Sequence, residues 1–515
     1  MRRDIFRLAD TSFDLLVVGA GIYGACAAWD ASLRGLSVAV VDRDDFGAAT
    51  SANSLRIVHG GLRYLGRGNF PRMRESIRER SALLRIAPEL VQPLKVLVPT
   101  YGAGAQGRAA YAAALALNDL VSLGRNRNLD RSRSIPRGHL VGREQCLGLF
   151  PWFVPERLTG GAVWHDAQVL HPERLVLAFL HAAASRGAVP ANYVRVDRLQ
   201  TRDDAVQGAR ATDVLTGAEL DIRARAVLVA AGPWSEDIVS TASRAEQPPA
   251  ARGRALAMNL VVRRRLADVA VGVQARTKRT EDPVCGGHRF LFSAPHGQGT
   301  LIGTWYTAEA SNPTAALERG ARTLVGEFND ACPGLNLSGE EVSRRLWGWL
   351  PLKRGQEAGR SDALADRPRI VDHGRTHGIR HLISVEGVKF TTARLVAEQA
   401  VDRVFASLGQ TSPPCLTDEL RLTAGEVPMS LVPGAAPARG EIVGAIRKEM
   451  AVKLSDVVFR RSALGAAGVP ERGAIETAAR VMGGELGWDA ARQSDEIEAV
   501  MREAGVPGPA LETIA

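Results

Sequence analysis

Cysteine is scarce in this chain, and its few positions form no pattern. The 515 residues include five cysteines, an odd number with no CxxC spacing. A disulfide framework needs paired cysteines and a structural metal site needs closely spaced ligands, so neither is expected. With 45% apolar residues, the chain is instead long enough to bury a large core in two to four domains. The cysteines are Cys26, Cys146, Cys285, Cys332 and Cys415.

Long hydrophobic runs are also absent. No stretch reaches the roughly 18 consecutive apolar residues that a membrane-spanning helix requires. The opening segment, MRRDIFRLADTSFD, lacks the apolar core of a signal peptide. We therefore expect the chain in the cytoplasm, either free or held peripherally on the inner face of the cytoplasmic membrane.

The charge is uneven, with 65 Lys and Arg against 56 Asp and Glu and a net charge of +9. Such an excess suits nucleic acid, anionic lipid or small anionic substrates. The arginines are spread along the chain and no nucleic-acid-binding motif accompanies them, so a nucleic-acid partner is not expected. Residues 105–127 are apolar and flanked by arginines. They fit a helix in a lipid headgroup layer and an ordinary core helix equally well.

The chain has one strong motif near its start, FDLLVVGAGIYGACAAWDASLRGLSVAVVD at residues 13–42. It has the order strand, glycine turn, helix and strand ending in an acid, which is the layout of a dinucleotide-binding unit. Gly19 permits the tight turn, Gly21 lets backbone approach a pyrophosphate, and Gly24 permits close packing of helix on strand. Asp42 is placed to accept hydrogen bonds from ribose hydroxyls, and a carboxylate there disfavours a ribose 2′-phosphate.

The rest of the chain indicates two interleaved domains and a tail. The nucleotide domain resumes at ARAVLVAAGPW (224–234), where Gly232 makes a turn after a buried strand, and at HLISVEG (381–387). HRFLFSAP and TLIGTWY flank HGQG and predict a hairpin in an antiparallel, substrate-covering sheet. A proline- and glycine-rich linker is expected at 406–439, and helical periodicity follows in 440–515.

Taken together, these segments resemble the FAD-dependent glycerol-3-phosphate dehydrogenases, a family within the D-amino-acid-oxidase-like flavoproteins. The resemblance covers nearly the whole chain. It implies an α/β fold in which a Rossmann-like FAD-binding domain (about 13–100, 150–235 and 350–405) is interleaved with an antiparallel substrate domain (about 85–150 and 245–350), with a helical C-terminal domain. The motifs that carry it are GAGIYGACAAWDASLRGLSVAVVD, TSANSLRIVHGGLRYL, VAAGPW, LIGTWY, GVKFTT and EMAVKLSDVVFRRSAL…GELGWD.

The resemblance implies oxidation of sn-glycerol 3-phosphate to dihydroxyacetone phosphate, with hydride transfer to FAD and onward electron transfer to quinone or oxygen. A membrane surface is a further expected contact. Whether the chain forms a homo-oligomer is left open. Beyond Gly19, Gly21, Gly24 and Asp42, the residues implied to contact FAD are Thr50, Ser51, Ser54, Arg56, His59, Gly60, Gly61, Gly232, Gly387, Lys389 and Thr391, the last because it or Thr392 is expected to cap a helix facing the flavin.

For the substrate phosphate, the resemblance implies Arg63, Tyr64, Arg367 and Lys389. Arginine suits this task because its planar guanidinium can donate two charge-assisted hydrogen bonds to one phosphate. The catalytic set is His59, Arg63 and Lys389. The general base is left open among His59, His165 and His288, with His59 preferred for its position beside the flavin.

Two departures leave the substrate open. The family reads G-x-R-P-L where this chain has Leu350, and GGK where it has Gly387, Val388 and Lys389, preceded by Glu386. Losing a charged hydrogen bond costs roughly 1.5 to 3 kcal/mol unless Lys353, Arg354 or Arg345 compensates. Alternatives are therefore a flavin oxidoreductase acting on another small 2-hydroxy acid, sugar phosphate or amino acid, and a non-catalytic flavin-bound interaction protein.

Overall fold

The computed structural model describes residues 1–242, 253–276, 289–308, 311–353, 364–422 and 430–505. His288, Cys285 and Arg354 therefore lie outside the described residues. Within them, no helix is both long and apolar enough to cross a membrane.

Strands of the described residues form two sheets. The strands are β1 (Ser12–Val18), β2 (Val38–Val41), β3 (Ile57–Val58), β4 (Val91–Tyr101), β5 (His139–Val141), β6 (Leu158–Val169), β7 (Val189–Ala191), β8 (Val194–Arg202), β9 (Ala205–Asp213), β10 (Glu219–Val229), β11 (Arg254–Val262), β12 (Ala270–Gln274), β13 (Phe290–His296), β14 (Gly299–Thr307), β15 (Val342–Pro351), β16 (Arg369–Asp372) and β17 (Leu382–Glu386).

Helices cover these sheets and make up the C-terminal part. They are α1 (Ile5–Asp10), α2 (Ile22–Leu33), α3 (Phe70–Ile86), α4 (Arg108–Val121), α5 (Arg143–Leu149), α6 (Pro172–Ser185), α7 (Ser235–Ser240), α8 (Pro313–Ala331), α9 (His373–His377), α10 (Ala393–Ser407), α11 (Arg439–Glu449), α12 (Leu454–Asp456), α13 (Arg472–Leu486) and α14 (Ala490–Gly505).

The first sheet has the order β16-β17-β10-β1-β2-β7, with β8 and β9 continuing from β10. The strands from β17 to β7 run parallel, and β16 is an antiparallel edge. Alternate residues of β1 face opposite sides: Leu15 and Val17 pack beneath α2, α6 and α10, whereas Leu16 and Val18 pack against the β8–β9 hairpin. Because both faces are covered, these strands are nearly uninterrupted apolar runs, as their sequence predicts.

The second sheet has the order β15-β11-β14-β13-β12-β4-β6-β3, with β5 beside β6. The predicted hairpin around HGQG is confirmed, because β13 and β14 pair antiparallel from Phe292 and Gly303 to His296 and Gly299. Helix α8 covers one face through Leu317, Leu324 and Phe328, among others. The opposite face of β11, β14 and β15 is turned toward the first sheet.

The expected α/β architecture with an interleaved antiparallel sheet and a helical C-terminal region is confirmed. The domain boundaries stay a prediction. Two strands in ranges assigned to the FAD domain belong to the second sheet: β3 pairs with β6, and β6 pairs with β4. The eleven-pair register of β6 with β4 is a long-range pairing that local periodicity cannot reveal.

Candidate active site

A cavity of about 600 Å³ lies between the two sheets, at the carboxyl ends of the parallel strands. Such ends are where open α/β sheets bind ligands. Four loops of the first sheet form one wall, and β11, β14 and β15 form the other. The loop residues include Gly19 and Gly21 after β1, Asp42–Gly47 after β2, Ala230–Trp234 after β10 and Gly387–Phe390 after β17.

The glycine turn after β1 has the tight form that the motif predicts. Gly19 has a φ of +98°, and a Cβ there would lie 2.7 Å from the carbonyl oxygen of Ala230. A Cβ on Gly24 would collide with the carbonyl oxygen of Gly19. Helix α2 therefore starts directly against β1, with the amide groups of its first turn at the cavity, where they can stabilise a pyrophosphate.

Asp42 ends the second strand with its carboxylate at the cavity. Its Oδ2 accepts a hydrogen bond from Ala20 N at 2.7 Å, and its Oδ1 accepts one from Asp44 N at 3.1 Å. Burial, reinforced by the charge of Asp44, raises the pKa of Asp42 to about 7. Each oxygen keeps a lone pair available, so Asp42 fits the predicted role as acceptor for ribose hydroxyls.

The threonine and serines of TSANS connect the two walls. Ser51 Oγ accepts a hydrogen bond from Ile22 N at 3.0 Å, and Thr50 Oγ1 donates to the carbonyl oxygen of Trp349 at 3.0 Å. Both line the cavity, as does Ser54, whose Oγ accepts from Arg56 N at 3.2 Å. These three predicted contact residues are therefore positioned for a ligand.

Arg56 is placed differently from its expected role. Its buried side chain donates from Nη1 to the carbonyl oxygen of Leu170 at 2.7 Å, and the charge of Glu173 favours its charged form. Among the described residues that line the cavity, Arg56 does not occur. The guanidinium therefore lies at the start of α6, because a buried cation requires hydrogen-bond acceptors and a counter-charge.

The His59–Gly60–Gly61 backbone packs against protein groups rather than the cavity. Gly60 N donates to Asp166 Oδ1 at 2.5 Å, and a Cβ on Gly60 would collide with the Arg80 guanidinium. A Cβ on Gly61 would lie 2.8 Å from the Tyr64 ring. The glycines are thus explained by Arg80 and Tyr64, and contact with the flavin stays a prediction.

The loop after β17 brings Lys389 to the cavity. Tyr23 OH donates to the Lys389 carbonyl oxygen at 2.7 Å and accepts from Lys389 N at 3.2 Å, which fixes the loop to α2. A Cβ on Gly387 would collide with the Tyr23 ring, so glycine is required for this packing. Gly387 and Lys389 both line the cavity, and Gly232 lines it from the end of β10.

The expected helix cap at this loop is wrong in detail. Helix α10 begins at Ala393 with Thr392 in the N-cap position, and neither that side chain nor an equivalent one makes a capping hydrogen bond. Thr392 instead interacts with the phenolic oxygen of Tyr23. Thr391 is buried and does not occur among the described lining residues.

A cluster of cations surrounds Tyr64 beside the cavity. Lys389 lines the cavity, whereas Arg63, Tyr64 and His59 do not occur among the described lining residues. Lys389 Nζ contacts the Tyr64 hydroxyl and lies 4.6 Å from its ring centre, while Arg63 Nη2 donates to that hydroxyl at 3.4 Å. Arg72 lies 5.6 Å from the same ring. Burial and the charge of Arg63 lower the pKa of Lys389 to about 8. We expect this cluster to attract an anion, because carboxylates do not neutralise Arg63 or Lys389 within the described residues.

His59 is the candidate base closest to this cluster. Its ring lies 6.1 Å from the Tyr64 ring, and its buried Nδ1 has no hydrogen-bond partner among the described residues. Burial, with the charges of Arg63, Lys389 and Arg80, holds the pKa of His59 well below 6.5. The pKa of His165 is instead lowered to about 4 by burial and by the charge of Lys95, and His165 does not occur among the described lining residues.

Arg367 is poorly placed to bind a phosphate in the cavity. The same holds for the residues considered as replacements for the arginine that the family has at position 350. Arg367 is exposed, and its charge acts on Glu75. Leu350 lines the cavity as an apolar residue. Lys353 Nζ lies 3.6 Å from Asp366 Oδ1, and Arg345 does not occur among the described lining residues. Neither therefore supplies the missing charge at Leu350.

Sequence reasoning missed several polar residues of the second wall. Asn259 Nδ2 donates to the carbonyl oxygen of Asn53 at 2.9 Å, and its Oδ1 accepts from Thr304 Oγ1 at 2.8 Å. Tyr306 also lines the cavity and interacts electrostatically with Arg63. Thr304 and Tyr306 belong to LIGTWY, where the alternation of the strand places every second side chain on the cavity face.

The cavity fits a flavin adenine dinucleotide. A ligand volume of this order is typical of cofactor sites. Its lining includes a helix N-terminus and the ribose acceptor Asp42, together with Lys389, Tyr306 and Leu350. The site thus combines an anion-binding glycine turn with a cationic side chain.

Comparisons with known proteins agree with this geometry. Residues 14–403 match the family described as FAD dependent oxidoreductase, and residues 393–493 match the C-terminal domain of alpha-glycerophosphate oxidase. The chain is an FAD-dependent oxidoreductase.

Two similar proteins are both glycerol-3-phosphate dehydrogenases. A glycerol-3-phosphate dehydrogenase of Synechocystis sp. is 32% identical over 83% of this chain and 76% of its own length. The human mitochondrial glycerol-3-phosphate dehydrogenase is 29% identical over 82% of this chain, which spans 57% of that relative.

Solved structures share the fold. A glycerol-3-phosphate dehydrogenase from Bacillus halodurans complexed with FAD has a TM-score of 0.70 and 22% identity, covering 97% of this chain and 96% of its own. An L-alpha-glycerophosphate oxidase from Mycoplasma pneumoniae with FAD bound has a TM-score of 0.51 and 14% identity, covering 80% and 99%. The matched family, the relatives and the shared fold place this chain in the family of FAD-dependent glycerol-3-phosphate dehydrogenases.

Proposed function

We propose that the chain oxidises sn-glycerol 3-phosphate to dihydroxyacetone phosphate in the part of the cavity that Lys389 lines, beside Tyr64. The observation that carries the proposal is the meeting of Lys389, Arg63 and a neutral His59 around Tyr64. Lys389 and Arg63 bind the phosphate dianion, and His59 accepts the proton of the hydroxyl group being oxidised. When bound, FAD would accept the carbon-bound hydrogen with its two electrons, as a hydride.

The substrate is tested by anaerobic mixing of the purified, FAD-loaded protein with a panel of reductants. We expect sn-glycerol 3-phosphate to bleach the visible flavin absorbance, with glycerol, 2-hydroxy acids and amino acids far slower. Faster bleaching by a 2-hydroxy acid, another sugar phosphate or an amino acid would assign a different substrate to the cavity that Leu350 lines. Absence of bleaching by the whole panel would support a non-catalytic role.

The charge state of Lys389 predicts the alkaline pH dependence. A lysine is charged below its pKa, so its attraction for phosphate is present below about pH 8 and is lost as the pH rises through that value. We therefore expect kcat/KM, which reports the free enzyme, to fall above about pH 8. Lys389→Arg keeps its charge throughout this range and should remove the alkaline fall. An unchanged alkaline profile in that variant would contradict the assignment.

We further propose that α4 docks on an anionic lipid surface. Its outer side carries three exposed leucines, with 38% exposure at Leu117, 63% at Leu120 and 74% at Leu123, just beyond the helix. Exposed arginines follow directly in the chain, including Arg127, Arg131 and Arg137. Apolar side chains beside cations match the interface between acyl chains and anionic headgroups. A membrane quinone would then be the nearby electron acceptor, with oxygen the alternative.

This docking is tested by sedimentation with vesicles of mixed anionic and neutral phospholipid. We expect wild-type protein to bind at low salt and less at high salt, because screening weakens the arginine contribution. The double substitution Leu120→Asp and Leu123→Asp should abolish binding, whereas Val469→Asp, at a 51% exposed apolar site in the C-terminal region, should not. Equal loss of vesicle binding in the double leucine variant and in Val469→Asp, or no loss in either variant, would refute the role of α4.

A further inference from the structure

Asp45 is a fully buried carboxylate in the loop after β2, three residues beyond Asp42. This loop, Asp42–Gly47, lines the ribose end of the cavity. Four donors satisfy the carboxylate. Oδ1 accepts from Arg461 Nη2 at 2.7 Å and from Asn192 Nδ2 at 2.9 Å, and Oδ2 accepts from Arg461 Nη1 and Arg460 Nε, both at 2.5 Å.

Both arginines come from the C-terminal helical region, more than 400 residues along the chain from Asp45. They end a π-helical turn at Val457–Arg461, a geometry frequent at functional sites. Arg461 also donates from Nη2 to the carbonyl oxygen of Glu449 at 2.9 Å, and Arg460 pairs with Asp456 at 2.8 Å. Arg461 therefore connects the end of α11 to the cofactor loop, and Arg460 connects the end of α12 to it.

Carboxylates pair with both guanidinium groups of this cluster. Asp45 and Asp456 contact Arg460 and Arg461, and these four side chains are almost wholly buried. Arg460 Nη1 also lies 3.5 Å from Glu503 Oε1, at the edge of the cluster. Burial alone would raise the pKa of Asp45, but the charges of Arg461 and Arg460 outweigh it and hold that pKa well below its usual range. Removing one partner of such a cluster leaves an uncompensated buried charge, so the loop must then rearrange.

We propose that Arg460 and Arg461 are positioning residues for FAD, through which the C-terminal helical region holds the Asp42–Gly47 loop in its cofactor-binding shape. Backbone hydrogen bonds also hold this loop. Val194 N donates to the Asp42 carbonyl oxygen at 2.7 Å, Tyr193 N to that of Asp44 at 3.1 Å, and Gly47 N to that of Ala20 at 3.1 Å. The arginines add the contacts that fix the Asp45 side chain between these backbone bonds. FAD affinity and docking of the C-terminal region are therefore coupled, and the coupling is reciprocal.

The same region offers a matched control. Arg174 Nη1 donates to Glu449 Oε2 at 2.6 Å in another buried ion pair between α6 and α11. Arg174 does not occur among the described residues that line the cavity. Arg174→Gln and Arg461→Gln thus each break a buried ion pair at the C-terminal interface, but only the second releases Asp45.

The experiment compares these variants by titrating FAD into deflavinated full-length protein and by thermal unfolding. Arg461→Gln is expected to raise the Kd for FAD about tenfold or more, a size typical of coupling through packed networks. Arg461→Lys should fall between this variant and wild type, because it keeps the charge but not the bidentate geometry. Arg174→Gln should lower the unfolding temperature while leaving the Kd for FAD within about threefold of wild type.

Equal weakening of FAD binding by Arg174→Gln, or a wild-type Kd in Arg461→Gln, would overturn the proposal. A second measurement does not depend on any variant folding. In wild-type protein, amide hydrogen exchange in α11 and in the 457–461 turn should slow when FAD is added to the deflavinated chain. Unchanged exchange there, with protection gained only around the glycine turn, would also overturn it.

Discussion

Gly24→Ala is expected to abolish FAD binding while leaving most of the secondary structure intact. The added Cβ would collide with the Gly19 carbonyl oxygen, a backbone atom of the turn that faces the pyrophosphate. Helix α2 must then move from β1, and its amide groups no longer point at the phosphates. We expect the purified variant to be colourless, with a Kd for FAD raised at least about a hundredfold, equivalent to losing roughly 3 kcal/mol of binding.

The matched control for this change is Gly484→Ala in α13, where a new Cβ meets nothing within 4 Å. That variant should bind FAD like wild type and unfold at the same or a slightly higher temperature, since alanine favours helix over glycine. Titration of FAD followed by flavin fluorescence, with circular dichroism to monitor the fold, measures both. A Gly24→Ala protein that binds FAD normally would contradict the placement of the pyrophosphate.

The substitutions Arg63→Met and Lys389→Met are expected to give the largest losses of activity. Each removes a charge-assisted hydrogen bond worth roughly 1.5 to 3 kcal/mol, so each should lower kcat/KM for sn-glycerol 3-phosphate about tenfold to 150-fold. The two cations interact, since Arg63 lowers the pKa of Lys389. Without Arg63, Lys389 keeps its charge to higher pH and partly compensates, so near pH 8 the double variant should lose more than the product of the single losses.

Discrimination between substrates separates phosphate binding from general damage. The activity toward glycerol, which has no phosphate, should change little in either variant. The ratio of kcat/KM for sn-glycerol 3-phosphate to that for glycerol should therefore fall sharply. Arg202→Met, at a 76% exposed side chain, is the control and should behave as wild type. Equal loss toward glycerol and sn-glycerol 3-phosphate would show that Arg63 and Lys389 do not bind the phosphate.

The nucleotide-binding unit was predictable because its information is local. The run from Phe13 to Asp42 specifies strand, turn and helix through alternation, glycine positions and a terminal acid, and β1, α2 and β2 follow it closely. The β13–β14 hairpin was predictable for the same reason. Each of these elements is determined by residues within about 30 positions of one another in the chain.

The phosphate-binding cluster required the resemblance to a family. Nothing local indicates that Lys389 lies against Tyr64, because 325 residues separate the two. Arg56 shows where assigning roles from the family resemblance fails. Its position matches the family motif, but the contact with Leu170 turns its guanidinium away from the cavity. The Asp45 cluster carried no local signal either, apart from the adjacent arginines in the C-terminal motif.

The proposed substrate site is tested most directly by an experimental structure of the protein with FAD and sn-glycerol 3-phosphate. We expect the adenosine ribose on Asp42, the flavin ring between the TSANS loop and β15, and the substrate phosphate within hydrogen-bond distance of Lys389 Nζ and the Arg63 guanidinium. A phosphate bound away from both cations, or FAD lying in the reverse direction with its adenine at Tyr64, would contradict this arrangement.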